Sequence, residues 1–320
     1  WYEGASHNPS LSGKDRLTIA ITGATGFVGS HVLDAATAAG IPIRALARKS
    51  QPDREGVAWI AGALDDPAAL DELCAGTDAV LHIAGAVNVP NRAAFAAANI
   101  AGTQGVTDAA VRAGAARFIH VSSLAAREPA LSNYGWSKMG AEDVVRAAPV
   151  PSVIVRPPGV YGPRDTDMFA LFAMARRGFI LLPPGGRGSW IHAADLATLL
   201  VTLATTPDFP AGALFEVDDG TPGGMAHRAL GKAIAAAVGK PDARTISAPR
   251  RLLALAARGD RLVRRDKARL TPDRAAYMAH PDWVSDPAKH PPPTLWQPAI
   301  GYAEGFAATA RWYREAGWLR

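Results

Sequence analysis

Tyr134 and Lys138 stand four residues apart in the run Tyr134-Gly135-Trp136-Ser137-Lys138. On a helix that spacing puts phenol and ammonium on one face. A free phenol, with a pKa of about 10, is a poor acid or base at neutral pH. An adjacent cation favours the phenolate and is expected to lower that value. Upstream, Ser123 closes the run Phe118-Ile119-His120-Val121-Ser122-Ser123, where a strand-end hydroxyl can hydrogen-bond a substrate carbonyl. The three side chains suit one kind of step: a carbonyl is held and its oxygen protonated while hydride arrives from a partner.

A partner of that kind needs a binding site, and Thr22-Gly23-Ala24-Thr25-Gly26-Phe27-Val28-Gly29 has the composition for one. Glycines spaced G-x-x-G-x-x-G let a backbone turn tightly and approach a pyrophosphate, while the following helix offers free N–H groups. The expected contacts are Thr22, Gly23, Thr25, Gly26, Phe27, Val28 and Gly29. After the second strand come Arg48, Lys49 and Ser50, with no carboxylate before Asp53. Arginine there matches a ribose 2′-phosphate in charge and geometry. NADP(H) is therefore the expected cofactor, with NAD(H) as the alternative and Arg48 the leading discriminator.

These residues must be positioned by a sheet. Short apolar runs predict strands over 17–22, 41–47, 57–61, 79–83, 117–121 and 151–156. Helical spacing fills the gaps over 30–39, 67–75, 92–113 and 134–147. Alternation of this sort predicts an α/β protein with a Rossmann-like, doubly wound parallel sheet. After Arg156 proline and glycine become frequent, with helical stretches expected over 168–177 and 194–204. The organisation read from this is a disordered leader over 1–15, a dinucleotide-binding domain over 16–160, and a smaller C-terminal lobe, mainly substrate-binding, over 161–320. That boundary is soft, because the second half can return a strand to the sheet.

Composition narrows the classes. Hydrophobic residues make up 48% of the chain and charged residues 20%, ordinary values for a soluble globular protein. No apolar run approaches the roughly 20 residues of a membrane span. The lone cysteine, Cys74, excludes an internal disulfide framework and reads as packing; no metal site is expected. A reducing cytoplasm fits. The net charge of +5 is uneven: from Arg244 to Arg274 there are ten basic residues against Asp260, Asp266 and Asp273. Charge confined to one segment does not point to nucleic acid. Its interleaved leucines allow peripheral contact of residues 244–274 with an anionic membrane surface.

With these motifs in view, the sequence resembles the extended branch of the short-chain dehydrogenase/reductase family, the NAD(P)-dependent epimerase/dehydratase-like group, over about 17–320. Further marks are His82-Ile83-Ala84-Gly85, Asn99-Ile100-Ala101-Gly102-Thr103, the stretch from Arg156 to Pro163, and Ile191-His192-Ala193-Ala194-Asp195-Leu196-Ala197. The resemblance implies that Ser123, Tyr134 and Lys138 are catalytic. It also implies that Ile83, Ala84, Gly85, Asn99, Val121, Ser122, Pro157, Gly159 and Val160 border the cofactor, with Ala63 and Leu64 near its adenine. His82, His192 and Asp195 read as structural. Where the family often has G-D-L, this chain has Gly62-Ala63-Leu64, so an acidic adenine contact is absent or moved to Asp65.

Leu124 and Ala125 follow Ser123, where sugar-nucleotide dehydratases of the family carry an acidic pair. The family's reductase side fits better. Ala86, Phe169, Phe172 and Trp190 are candidates for lining a pocket for a bulky apolar, possibly lipid-like substrate such as a keto-sphingolipid. The expected function is NADP(H)-dependent reduction of a ketone or aldehyde by a monomer or homodimer. Two alternatives stand beside it: a sugar-nucleotide epimerase that retains NAD(P), and a non-catalytic NADP(H)-binding accessory subunit.

Overall fold

The computed structural model describes residues 17–183, 185–247, 272–278 and 280–319. The expected leader and most of the basic segment lie outside the described residues. The first half runs β1 (Ile19–Thr22), α1 (Phe27–Ala38), β2 (Ile43–Ala47), β3 (Val57–Ala61), α2 (Pro67–Cys74) and β4 (Ala79–His82). It continues with α3 (Arg92–Phe95), a π-helical stretch (Ala96–Ala101), α4 (Gly102–Arg112), β5 (Arg117–Val121), α5 (Asn133–Ala147) and β6 (Ser152–Arg156). Strands β3 and β5 match the sequence expectation to the residue. α1 starts three residues earlier than expected, at Phe27, because the glycine turn feeds straight into it.

The second half adds β7 (Gly159–Tyr161), α6 (Phe169–Arg176), β8 (Phe179–Leu182), β9 (Arg187–Gly188), β10 (Trp190–His192), α7 (Ala193–Thr205) and β11 (Leu214–Glu216). β12 (Met225–Ala226), α8 (His227–Ala237), β13 (Arg244–Ser247) and the helices Pro272–Met278 and Tyr302–Glu315 follow.

Seven strands form one sheet in the order β11-β6-β5-β4-β1-β2-β3, every pairing parallel. Parallel sheets need cover on both faces. Here α1 and α7 close one face around Val32, Leu33, Leu196 and Leu200. The other face is closed by α2 and α4 around Leu70, Leu73 and Val106. Cys74 is wholly buried in that second layer, and burial pushes its thiol up to about 11, so it serves packing. The strand order reverses between β1 and β4. At such a point the loops leaving two neighbouring strands diverge and open a crevice at the carboxyl ends.

One expected element is corrected. The helix read as continuous over 92–113 is interrupted by the π-helical stretch Ala96–Ala101. The extra residue per turn lets Asn99 face inward, where it is 2% exposed. Such bulges recur where a helix carries a functional side chain.

Candidate active site

The loops leaving β1 and β4 meet at the crevice. Gly23 has φ +76°, and a Cβ there would come within 2.6 Å of the Ala84 amide nitrogen. A Cβ on Gly29 would lie 2.0 Å from the Gly23 carbonyl oxygen. The first turn of α1 has neither a side-chain cap nor an acidic residue, while Thr25 and Gly26 are exposed above it. A close-fitting backbone cradle at an uncovered helix N-terminus suits a pyrophosphate, so these residues fit a dinucleotide. Thr22 Oγ1 accepts from the Ala84 amide at 3.3 Å and pins the two loops together.

At the cradle's outer end Arg48, Lys49 and Ser50 are all exposed beyond β2. The Gln51 side-chain amide donates to the Lys49 and Ser50 carbonyls at 3.0 and 3.1 Å, holding this loop. After β3, Leu64 turns towards α4: a Cβ on Gly102 would sit 3.0 Å from its Cδ1. The leucine side chain thereby joins the second core.

At the inner end, Asn99 Oδ1 accepts from the Ala86 amide at 2.6 Å, and its Nδ2 donates to the Ala86 carbonyl at 3.0 Å and to Ser137 Oγ at 2.8 Å. Ser137 Oγ in turn donates to the Tyr134 carbonyl at 2.8 Å. Asn99 thus couples the loop Ile83–Ala86 to the first turn of α5. Below it, Thr103 Oγ1 donates to the Asn99 carbonyl at 2.6 Å, so His82 Nε2 donates to Thr103 Oγ1 at 2.9 Å. His82 Nδ1 is left to accept from Thr22 Oγ1 at 2.7 Å. Burial, reinforced by the Lys138 charge, pushes His82 down to about 3. It stays a neutral strut between the two loops.

The three residues expected to do chemistry come together. Ser132 Oγ caps α5 by accepting from the Gly135 amide at 2.9 Å, which seats Tyr134 and Lys138 one turn apart. Tyr134 and Ser123 share a side-chain hydrogen bond. Lys138 is 4% exposed and donates to the Val121 carbonyl at 2.8 Å. A Cβ on Gly85 would lie 3.6 Å from its Nζ, so glycine there keeps the lysine open to the crevice. Neighbouring Ser122 Oγ donates to Glu142 Oε1 at 2.5 Å.

The expected direction of the tyrosine shift is corrected. Burial pushes the Tyr134 phenol up to about 12, with the Ser123 hydrogen bond and the Arg274 charge opposing it. Its ring lies 6.2 Å from Phe95 and 5.9 Å from Tyr277. Desolvation of a phenolate under that roof outweighs the cation one turn away. Tyr134 therefore carries its proton at neutral pH, the state an acid needs.

Burial also depresses Lys138, from the usual 10.5 to about 8, with Glu142 resisting. Loss of the ammonium should lower kcat/KM for reduction as pH rises through about 8, well before Tyr134 titrates. Stability should move the opposite way. Because the folded pKa lies below the unfolded one, the unfolded chain binds more protons between about 8 and 10.5, and folding gains as pH rises through that window. Wild-type Tm measured against Lys138→Met should rise across it; a relative fall would refute the assignment.

Glu142 belongs to a buried network that no sequence motif announced. Arg156 Nε and Nη2 both donate to its carboxylate at 2.7 Å. Arg156 also pairs with Glu216 of β11 at 3.5 Å. Burial opposes ionisation of Glu142, but hydrogen bonds from Arg156 and Ser122 hold its carboxyl below the usual range. The i,i+4 step from Lys138 was a local signal for Glu142. Arg156 opens a marked stretch but Glu216, from a distant strand, left none.

The helix Pro272–Met278 was likewise missed as part of the site. Asp273 Oδ1 accepts from the Asn133 amide at 2.6 Å, adding a second cap to α5, and Arg274 Nη2 donates to Asp167 Oδ2 at 2.8 Å. Tyr277 then lies over Tyr134. Nothing near 134 in sequence signals a partner from 273.

Among the substrate candidates, Ala86 borders the crevice on Asn99 and Trp190 lies beside Gly159, where a Cβ would be 2.3 Å from its ring. Pro157 contributes its carbonyl to the Leu124 amide at 2.9 Å, and Gly159 and Val160 pair with Trp190 and Ile191 in a two-stranded parallel sheet. Phe172 is corrected: it is wholly buried against Phe306 and Tyr313, a core residue of the α6 layer. Phe169 stacks edge-on with Tyr313 and Trp318 and faces the same layer. His192 caps α7 by accepting from the Ala194 amide at 3.3 Å. Asp195 Oδ2 accepts from the Ala299 and Ile300 amides at 3.2 and 2.9 Å.

A dinucleotide cradle at the sheet's switch point, facing a Ser-Tyr-Lys group, defines an NAD(P)-dependent oxidoreductase of Rossmann-like fold. Residues 19–217 match the NAD dependent epimerase/dehydratase family, and the chain belongs to that family, within the extended short-chain dehydrogenases/reductases. It is 37% identical to the ceramide reductase of Caulobacter vibrioides over 95% of this chain and 96% of that one. It is 28% identical to the 2-alkyl-3-oxoalkanoate reductase of Stenotrophomonas maltophilia, covering 85% and 93%. Among solved structures, the Bordetella bronchiseptica enzyme WbmG in complex with NAD superposes with a TM-score of 0.72 at 20% identity, covering 97% of each chain. At that identity the likeness is one of fold.

Proposed function

We propose that this enzyme uses NADP(H) to reduce a ketone on a bulky, lipid-like substrate of the keto-sphingolipid class. The observation that carries the reading is the placement of Tyr134 beside Ser123 and beneath the rings of Phe95 and Tyr277. Aromatic rings packed over the acid suit a carbonyl on a hydrocarbon chain. The full-length likeness to a ceramide reductase supports the same substrate class.

Ser123 donates to the substrate carbonyl and fixes it beside Tyr134. The crevice beside Gly85 and Lys138 would hold a dihydronicotinamide, whose chemistry would be to supply hydride to the carbonyl carbon. As negative charge grows on oxygen, Tyr134 gives up its phenolic proton, and the product is the secondary alcohol. Lys138 stabilises the phenolate left behind, which water then reprotonates. Gly23, Gly26 and Gly29 would hold the pyrophosphate, and Arg48, with Lys49 and Ser50, the 2′-phosphate. A substrate of this class resides in a bilayer, so the proposal includes peripheral membrane contact through residues 244–274.

The direct test follows NADPH absorbance with detergent-dispersed N-acyl-3-ketosphinganine and, separately, with sugar nucleotides. Stoichiometric oxidation with the keto-lipid alone is expected. Turnover of a sugar nucleotide without net oxidation would instead make the enzyme an epimerase. Arg48→Ala should raise the Kd for NADPH by about tenfold or more while leaving NADH within about twofold; equal losses would reject the 2′-phosphate role.

A further inference from the structure

Strands β8 and β13 form a two-stranded parallel sheet outside the main one, with Arg244 beside Phe179 and Ile246 beside Leu181. Side chains alternate between the two faces. The inner face is ordinary: Ile180 and Leu182 are buried among Leu230, Ile234 and Ala235. Thr245 packs there on Gly231 of α8, where a Cβ would meet its hydroxyl at 2.5 Å. The outer face is not ordinary. It carries Phe179, Leu181 and Ile246 at 39%, 37% and 47% exposure. Among the described residues only eight large hydrophobic side chains are exposed, and three of them stand together on this ribbon. Clustering of that kind marks an interaction surface rather than scattered surface apolarity.

Charge selects the occupant. From Arg176 to Leu182 and from Arg244 to Ser247 every charged side chain is an arginine: Arg176, Arg177 and Arg244, all exposed. Beyond Ser247 the sequence continues into the strongly basic stretch that ends at Arg274. A second copy docking through the same face would bring arginines against arginines. An anionic lipid surface neutralises them, and arginine stems can lie along acyl chains while their guanidinium groups reach the phosphates.

We propose that the outer face of the β8–β13 ribbon docks on an anionic bilayer, with Phe179, Leu181 and Ile246 entering the headgroup–acyl boundary and Arg176, Arg177 and Arg244 binding lipid phosphates. Its purpose rests on the reading of a membrane-lipid substrate; the docking itself does not. The site's roof, Tyr277, belongs to the first described helix after the ribbon, Pro272–Met278.

The test uses the full chain and vesicle co-sedimentation, with phosphatidylglycerol–phosphatidylcholine and pure phosphatidylcholine vesicles. Wild type should sediment with the anionic vesicles and be released by salt. The triple variant Phe179→Ser, Leu181→Ser, Ile246→Ser should lose about tenfold or more in partitioning, with NADPH affinity and turnover of a water-soluble ketone kept within about twofold. The proposal is overturned if wild type ignores anionic vesicles, binds pure phosphatidylcholine equally, or if the triple variant binds as well as wild type. It is also overturned if the variant merely converts a dimer to a monomer, which would make the face a contact between copies. Vesicle binding without reduction of any ketone would sink the catalytic reading and leave the docking intact.

Discussion

Replacing Tyr134 with phenylalanine should lower kcat for ketone reduction by about 10²–10⁴-fold, the span usual for loss of a positioned acid, and leave NADPH affinity within about twofold. The change removes one oxygen and little else. The ring keeps its neighbours Phe95 and Tyr277 at 6.2 and 5.9 Å, and α5 keeps its caps from Ser132 and Asp273. Ser123 loses a partner, but its Oγ still accepts from the Ala125 amide at 3.2 Å, so stability should fall by no more than about 1.5 kcal/mol. Full activity in Tyr134→Phe would remove the phenol from the mechanism. Equal losses in kcat and NADPH affinity would make it a binding residue instead.

The second large effect is expected at Gly29. Its alanine variant should weaken NADPH binding by about 100-fold or more, because the intruding methyl meets backbone. The Cβ would lie 2.0 Å from the Gly23 oxygen, 2.7 Å from the Gly23 carbonyl carbon and 2.8 Å from the Ala24 Cα. None of these atoms can rotate away, so the turn must leave the helix and the cradle opens. Gly40→Ala is the control. Gly40 has φ +67° with nothing within 4 Å of an added Cβ, so that variant should lose about 1 kcal/mol of stability from backbone strain and bind NADPH normally. Fluorescence titration of both variants, with Tm measured alongside, separates a broken cradle from a weakened fold. Unchanged affinity in Gly29→Ala would show that the cofactor does not need this turn.

How far the sequence was legible follows the range of the forces involved. The glycine turn, the β3 and β5 strands and the Tyr134–Lys138 step are set within a few residues, and each could be read directly. The π-helical stretch could not, because Ala96-Ala97-Ala98 suits an α-helix equally well. Its extra residue is stabilised by Asn99 bonding Ala86 and Ser137 from other segments. The direction of the Tyr134 pKa shift was misread for a similar reason. The cation four residues away is visible in sequence; the desolvating ring of Tyr277 is not. Phe172 shows the limit of composition: an aromatic residue in the second half suits a pocket or a core, and only its packing on Phe306 and Tyr313 decides.

The double cap on α5 has a consequence for the order in which the enzyme is made. One cap, Ser132, is synthesised with the helix. The other, Asp273, leaves the ribosome 140 residues after its donor Asn133, and Tyr277 follows close behind. A nascent chain can thus assemble the whole dinucleotide cradle and strand order while the tyrosine's end of α5 is half-capped and open to water. The nucleotide site matures first and the reducing site last, so a stalled or truncated product would sequester cofactor without spending it.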